Sequence, residues 1–178
     1  MILASIKPYY YYLIAEGIKK IELRKSALKN LPQDIAFYMS KDEKSFAKIP
    51  KEFQEKYRKH FGKVGMRVVC DKVDEYTFSH YEAEYRVTHI EQDAMWLNQP
   101  ELIRYGKGKP LYGWHISDLK IYDRPRELSE FFKPCPTKEK GDCLSCDCLA
   151  DNDYGGVCTN NLTRPPQSYM FVEEIETR

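Results

Sequence analysis

Apolar and polar positions along the chain fall into short runs punctuated by proline and glycine. The opening Ile2-Leu3-Ala4-Ser5-Ile6-Lys7 leans towards β structure and is ended by Pro8, which cannot continue a ladder but suits the first turn of a helix. Residues 8–16 then predict a short helix, with Tyr9, Tyr12 and Leu13 on one face and Gly17 supplying the left-handed stop. Over residues 20–25 apolar and charged side chains alternate. This predicts a half-buried strand within residues 20–26, with Ile21 and Leu23 inward and Lys20, Glu22 and Arg24 outward. A turn at Leu31-Pro32-Gln33 precedes a buried strand over 35–40, and the polar residues 41–50 read as a loop. Pro50 opens a second helix over 51–61, striped by Phe53, Tyr57, His60 and Phe61 and stopped at Gly62.

The second half follows the same grammar. A Val-rich run over 63–78, containing Cys70, predicts one long strand or a bent pair. A helix is expected around 93–105, with Pro100 making it start late or break. Residues 111–122 predict a strand interrupted or bulged at Gly113, followed by a helical turn over 125–132 and a last strand over 168–174. From 133 to 166 there is neither helical nor strand periodicity, which in a compact domain calls for a separate explanation. About six strands with short helices between them make an α+β chain, either a closed mixed barrel or an open sheet.

Composition narrows the function classes. At 178 residues one domain with an appendage is expected, and 42% hydrophobic with 31% charged residues is the balance of a globular protein. The longest apolar stretch, residues 9–15, is too short to span a bilayer, and residues 1–6 lack the basic and apolar regions of a signal peptide. A cytoplasmic protein without membrane contact is expected. With 28 basic against 27 acidic side chains, nucleic acid could be held only by a local patch. The 14 tyrosines fit either a filled barrel or a surface that stacks on bases.

One stretch carries a recognisable arrangement. The strand at 2–7, the helix after it and Gly17-Ile18-Lys19-Lys20-Ile21-Glu22-Leu23-Arg24 resemble the opening of ASCH-domain proteins of the PUA-like superfamily. All four fixed positions of their G-x-K-x-x-E-x-R motif are filled, by Gly17, Lys19, Glu22 and Arg24. Gly113-Trp114-His115-Ile116-Ser117-Asp118-Leu119 and Arg164-Pro165-Pro166-Gln167-Ser168 are similar to segments of phage and prophage members of that group. The resemblance implies a PUA-like mixed β-barrel with a cleft beside the first helix that binds RNA. It also implies that a few relatives cleave modified nucleosides or RNA, using the motif lysine, a hydroxyl residue and a further Glu. Glu22 stands here at the hydroxyl position, which weakens that chemistry in this chain.

The residues themselves support a binding site. Lys19 in a turn and Glu22 and Arg24 on one face of a strand can meet above one cleft. The arginine fork suits phosphate or a base edge, and the glutamate suits an exocyclic amine. A plain surface salt bridge is the competing reading. Lys7 and Ser40, at strand ends, reach the same cleft if the barrel closes. Adjacent strand residues face opposite sides, so we place Trp114 in the core and His115 and Ser117 at the cleft. The eight basic and four acidic residues of 41–63 include Lys56, Arg58 and Lys59, which read as the solvated face of a helix. Arg104, Lys107 and Lys109, beside Tyr105 and Tyr112, form a second basic group suited to a single strand.

Five of the six cysteines fall within the aperiodic stretch. A structural zinc on Cys143-x-x-Cys146, completed by Cys135 and Cys158 with Cys148 as the alternative fourth ligand, would hold it together. Free thiols in a loop and an iron–sulfur cluster are the other readings, whereas Cys70 is a core residue. The expected domains are a barrel over 1–132 plus 164–178 and a Cys-rich insertion over 133–163. The leading function is an RNA- or nucleotide-binding module around Lys19, Glu22 and Arg24, with single-stranded RNA or a nucleotide as partner. The alternatives are a hydrolase of modified nucleosides or a ribonuclease, with Lys19 and Glu22 catalytic, and a phage-type factor that binds a protein partner.

Overall fold

The computed structural model describes residues 1–134, 149–150, 157–158 and 160–174. The elements in chain order are β1 (Ile2–Ile6), α1 (Pro8–Ala15), β2 (Ile21–Arg24), β3 (Gln33–Met39), α2 (Glu43–Phe46), α3 (Lys51–Arg58) and β4 (Val64–Tyr76). There follow β5 (Phe78–Ser79), β6 (Glu84–Tyr85), α4 (His89–Met95), α5 (Gln99–Gly106) and β7 (Leu111–Arg126). After a single 3-10 turn at Leu128–Glu130 come β8 (Phe131–Phe132), β9 (Leu149–Ala150), β10 (Val157–Cys158), β11 (Tyr169–Phe171) and β12 (Glu173–Glu174).

Six strands form a curled half-barrel in the order β11-β1-β3-β4-β7-β2. β1 and β3 run parallel, joined through α1 and β2, and the remaining pairs are antiparallel. Hydrophobic side chains cover both sheet faces. On one side Ile2, Ala4, Phe37, Met66 and Trp114 pack with Tyr11, Leu13 and Ile14 of α1. On the other, Leu3, Ala36, Tyr38 and Val64 pack with Phe131, Leu162 and Val172. A third cluster, Ile21, Leu23, Tyr76, Tyr85, Met95, Leu102 and Leu111, lies under α4 and α5.

The edges β2 and β11 share no ladder, and side chains bridge them. Arg24 at the end of β2 donates to the carbonyls of Ser5 and Ser168, at 2.8 and 3.3 Å. Trp114 Nε1 donates to Ser26 O at 3.1 Å, and its ring meets Tyr169 edge-on at 5.4 Å. The expected barrel is thus a curled sheet clasped by side chains.

Several sequence expectations need correction. The strand at 20–26 is only Ile21–Arg24, and all four of its residues are buried, because Ile21 and Leu23 pack under α4 and α5 while Glu22, directly across the ladder from the buried Trp114, and Arg24 share the opposite face. α1 buries Tyr11 and Ile14 as well as Tyr12 and Leu13, because it lies between the sheet, α2 and α3. The polar loop at 41–50 contains α2, started by Asp42 Oδ1 accepting from Ser45 N at 3.0 Å. The helix expected over 93–105 is two helices, each opened by a capping box, Thr88/Glu91 and Asn98/Glu101. Pro100 sits in the first turn of α5, where its missing N–H costs nothing. Gly113 marks a close approach: an added Cβ would meet Tyr76 and Ile21. The irregular pairing of β4 with β7 lies elsewhere, between Cys70 and Val73 among other places. Cys70 is fully buried, as expected, and burial pushes its thiol pKa up to about 11.

The aperiodic stretch contributes the two-stranded pair β9–β10. Cys135, Cys143, Cys146 and Cys148 lie outside the described residues, and Cys158 is described only as part of β10. Among the described residues no helix is long and apolar enough to cross a membrane.

Candidate functional site

A cleft of about 530 Å³ opens between the start of α1, the end of β2 and the inner side of α5. Its lining includes Lys7, Lys19, Glu22, Arg24 and Ser40, five of the positions expected from sequence. Local structure explains their arrival. Gly17, at φ +70°, turns the chain sharply out of α1, and Ile18 and Lys19 N–H both close on Leu13 O. Lys19 is thereby delivered beneath the cleft, three residues ahead of Glu22. Lys7 ends β1 at the N-cap of α1, and Ser40 is held there by its N–H donating to Ile6 O at 2.9 Å.

The charged side chains form a buried row. Lys19 Nζ donates to Met95 O at 2.6 Å and lies 3.6 Å from Glu22 Oε2. Glu22 Oε1 lies 3.0 Å from Arg24 Nε, a contact that lacks hydrogen-bond alignment and is Coulombic. Both terminal nitrogens of Arg24 are taken by the backbone carbonyls of Ser5 and Ser168, and its guanidinium lies 5.4 Å over the Trp114 ring. Arg24 therefore orients Glu22 and closes the sheet, with little of its fork left to offer a ligand. Lys19 is only 2% exposed. Burial pushes its pKa down, against the opposing pull of the Glu22 carboxylate.

Around this row the lining is amphipathic. Tyr10 from α1 and Tyr105 from α5 supply rings, the Lys19 ammonium lying 5.4 Å over Tyr10 and that of Lys25 4.8 Å over Tyr105. Lys7 and Arg104 are exposed cations on the rim, and Glu101 adds a second carboxylate. Tyr10, Leu97, Glu101 and Gln167 were not singled out from sequence. Tyr10 stands within Tyr9-Tyr10-Tyr11-Tyr12, where a helical face of Tyr9, Tyr12 and Leu13 leaves it out. The Asn98-x-x-Glu101 capping signal would have placed Glu101 on the first turn of a separate helix.

The structure does not bring His115 and Ser117 to this cleft. His115 Nε2 is 2.7 Å from Asp74 Oδ2, and Ser117 Oγ donates to Val69 O at 3.3 Å. Partial burial works against ionised Asp74, but hydrogen bonds from Lys72 and His115 outweigh it and hold the carboxyl below its usual range. Trp114 is fully buried, the orientation expected for it. Lys56 and Arg58 pair on the surface with Glu16 and Glu43, in keeping with a solvated helix face. No group of three or more side chains suited to a metal ion occurs among the described residues.

No protein-family model matches the chain, and no curated protein matches it in sequence. Solved structures do match in shape. The ASCH protein of Zymomonas mobilis is 15% identical, with 97% of this chain and 87% of that one covered at a TM-score of 0.52. A serine-to-alanine variant of the same protein is 13% identical, with 97% and 87% covered at 0.54. A tyrosine-to-phenylalanine variant is 14% identical, with 97% and 89% covered at 0.55. The chain has the fold of these ASCH structures.

Proposed function

We propose that this ASCH-fold chain is an RNA-binding module that holds one nucleotide of a single strand in the cleft, with its base against Glu22. The observation that carries the reading is the Glu22 carboxylate fixed at the cleft floor between Lys19 and Arg24. An acceptor held on both sides reads an exocyclic amine without reorganising. Tyr10 and Tyr105 offer ring faces to the base, and Lys7 and Arg104 offer charge to the phosphates. Arg24 and Lys19 act as positioning residues for Glu22.

The test is a titration of short single-stranded RNA at increasing salt. Affinity should fall with salt, since phosphate contacts release counterions. Arg104→Ala should weaken binding to all sequences alike. Glu22→Gln should cost about 1.5–3 kcal/mol, as expected for a charge-assisted hydrogen bond, and should alter base preference. Affinity insensitive to salt and to both substitutions would refute the proposal.

One observation favours a second reading. A lysine whose pKa is lowered by burial beside a carboxylate is a group that enzymes use in proton transfer or attack. Purified protein and Lys19→Ala can be compared on acylated cytidine and on RNA. Equal turnover by the two proteins excludes Lys19 as a catalytic residue.

A further inference from the structure

The cleft wall continues outward as an aromatic surface. Trp96 is 48% exposed, in contrast to the fully buried Trp114. It occupies the left-handed region at φ 56°, where a bulky residue is uncommon and must be held by its surroundings. Both of its neighbours are fixed to the cleft: Met95 O accepts from Lys19 Nζ, and Leu97 lines the wall. The indole Nε1 donates to the hydroxyl of Tyr9 at 3.2 Å. The Tyr9 ring centre lies 5.8 Å from that of Tyr10, which lines the cleft. Tyr10 inside the cleft, Tyr9 packed beside it and Trp96 hydrogen-bonded to Tyr9 are thus linked in series.

We propose that Trp96 and Tyr9 form a stacking platform for the nucleotide adjoining the one in the cleft, so that the ligand is a single-stranded RNA segment rather than a free nucleotide. This rests on the binding function proposed above. An exposed indole held by its polar edge to a half-buried tyrosine suits base stacking, which accepts any base because every base has a π face. The exposed cations Lys7 and Arg104 line the cleft beside the platform and are placed to meet phosphates, with Glu91, Asp93 and Glu101 as the carboxylates of the neighbouring helices.

The two tryptophans make the test direct. Trp114 is shielded from solvent, so quenching of intrinsic fluorescence by RNA reports Trp96. The full chain is titrated with a mononucleotide and with a short single-stranded RNA, as are its Trp96→Ala, Trp96→Phe and Glu22→Gln variants. RNA should quench the wild type. Trp96→Ala should lose roughly five- to hundredfold in RNA affinity, the range set by one stacked base, while mononucleotide affinity holds. Trp96→Phe keeps a ring and should retain most RNA affinity without the quench, which decides the matter even if Trp96→Ala folds poorly. If RNA binds no tighter than the mononucleotide, or both Trp96 variants match the wild type while Glu22→Gln weakens both ligands, the platform is overturned and the cleft stands. If neither ligand binds the wild type, both proposals fall.

Discussion

Arg24→Ala removes the clasp between the two edges of the curled sheet. The guanidinium is almost fully buried, donates to Ser5 O and Ser168 O at 2.8 and 3.3 Å, and lies 3.0 Å from Glu22. Truncation deletes two charge-assisted hydrogen bonds, each worth about 1.5–3 kcal/mol. It also leaves Glu22 buried with only Lys19 at 3.6 Å. Breaking a buried pair from one side costs about 3–5 kcal/mol, and that figure already contains part of the hydrogen-bond loss, so we take it as the total. For a chain of this length each kcal/mol moves the melting midpoint by about 2–4 °C, so a fall of about 6–20 °C is expected. Arg24→Lys keeps the charge but not the fork and should lose roughly half as much. Urea unfolding followed by circular dichroism measures both variants, with the midpoint falling at constant slope. Because Glu22 and Arg24 interact directly, Glu22→Gln combined with Arg24→Met should cost less than the two changes added. A loss below about 1 kcal/mol for Arg24→Ala, the level of an exposed ion pair, would refute the clasp.

Three further outcomes are expected. His60 is buried with Nδ1 2.9 Å from the Tyr11 hydroxyl, and burial, with Lys59 and Lys56 nearby, pushes its pKa from 6.5 down to about 4. Between those values the unfolded chain binds more protons than the folded one. Stability should therefore fall as pH drops from about 6.5 to about 4 and level off below, by on the order of 3 kcal/mol, and His60→Gln should remove that slope from urea midpoints. Gly106→Ala places a Cβ against the hydroxyl and ring of Tyr85, whose hydroxyl donates to Lys109 O at 2.7 Å. Overpacking of about 1–3 kcal/mol is expected, partly relieved in a double variant with Tyr85→Phe, as read by thermal melting. The structural zinc proposed from Cys143-x-x-Cys146 should be found by elemental analysis of the purified protein and lost on Cys143→Ser; metal-free wild-type protein leaves the thiols without that role.

How much was legible varies with sequence separation. Pro8 and Gly17 bracket α1 through local rules alone, and both were read correctly. Gly17, Lys19, Glu22 and Arg24 lie close together in sequence, so their meeting at one site follows from a turn and a strand. What covers them does not. Lys19 ends on Met95 O, 76 residues away, and Glu101, Arg104 and Tyr105 arrive on the same distant pair of helices. An alternating strand looks half-solvated until both of its covers are known: Ile21 and Leu23 pack under α4 and α5, and Glu22 and Arg24, on the face of Trp114, are buried as well. Arg24 shows the same limit in its chemistry. Its residue type suggests a free fork for phosphate, but the carbonyls that occupy it come from Ser5 of β1 and from Ser168 just ahead of the edge strand β11, both far away in sequence.

The cover also bears on the choice between recognition and hydrolysis. Lys19 directs a proton at Met95 O, the last residue of α4, and its ammonium is sealed from solvent. The bond to Met95 O holds one of its three N–H donors and opposes its use as a nucleophile. Attack by Lys19 requires it to release Met95 O, whereas binding at Glu22 and the rim requires no such change. The bond has its own consequence: Lys19→Met leaves Met95 O without its donor and should loosen both helices. Hydrogen exchange should then quicken over residues 89–106 while β3 and β4, which do not touch Lys19, stay protected. Equal exchange in the two proteins would show that α4 and α5 are held without Lys19, by Met95 and Leu102 packed on Tyr85 and Leu111 and by Lys20 N–H on Ala94 O. Lys19 would then be free to act as more than a support, and the hydrolytic reading would gain on the binding one.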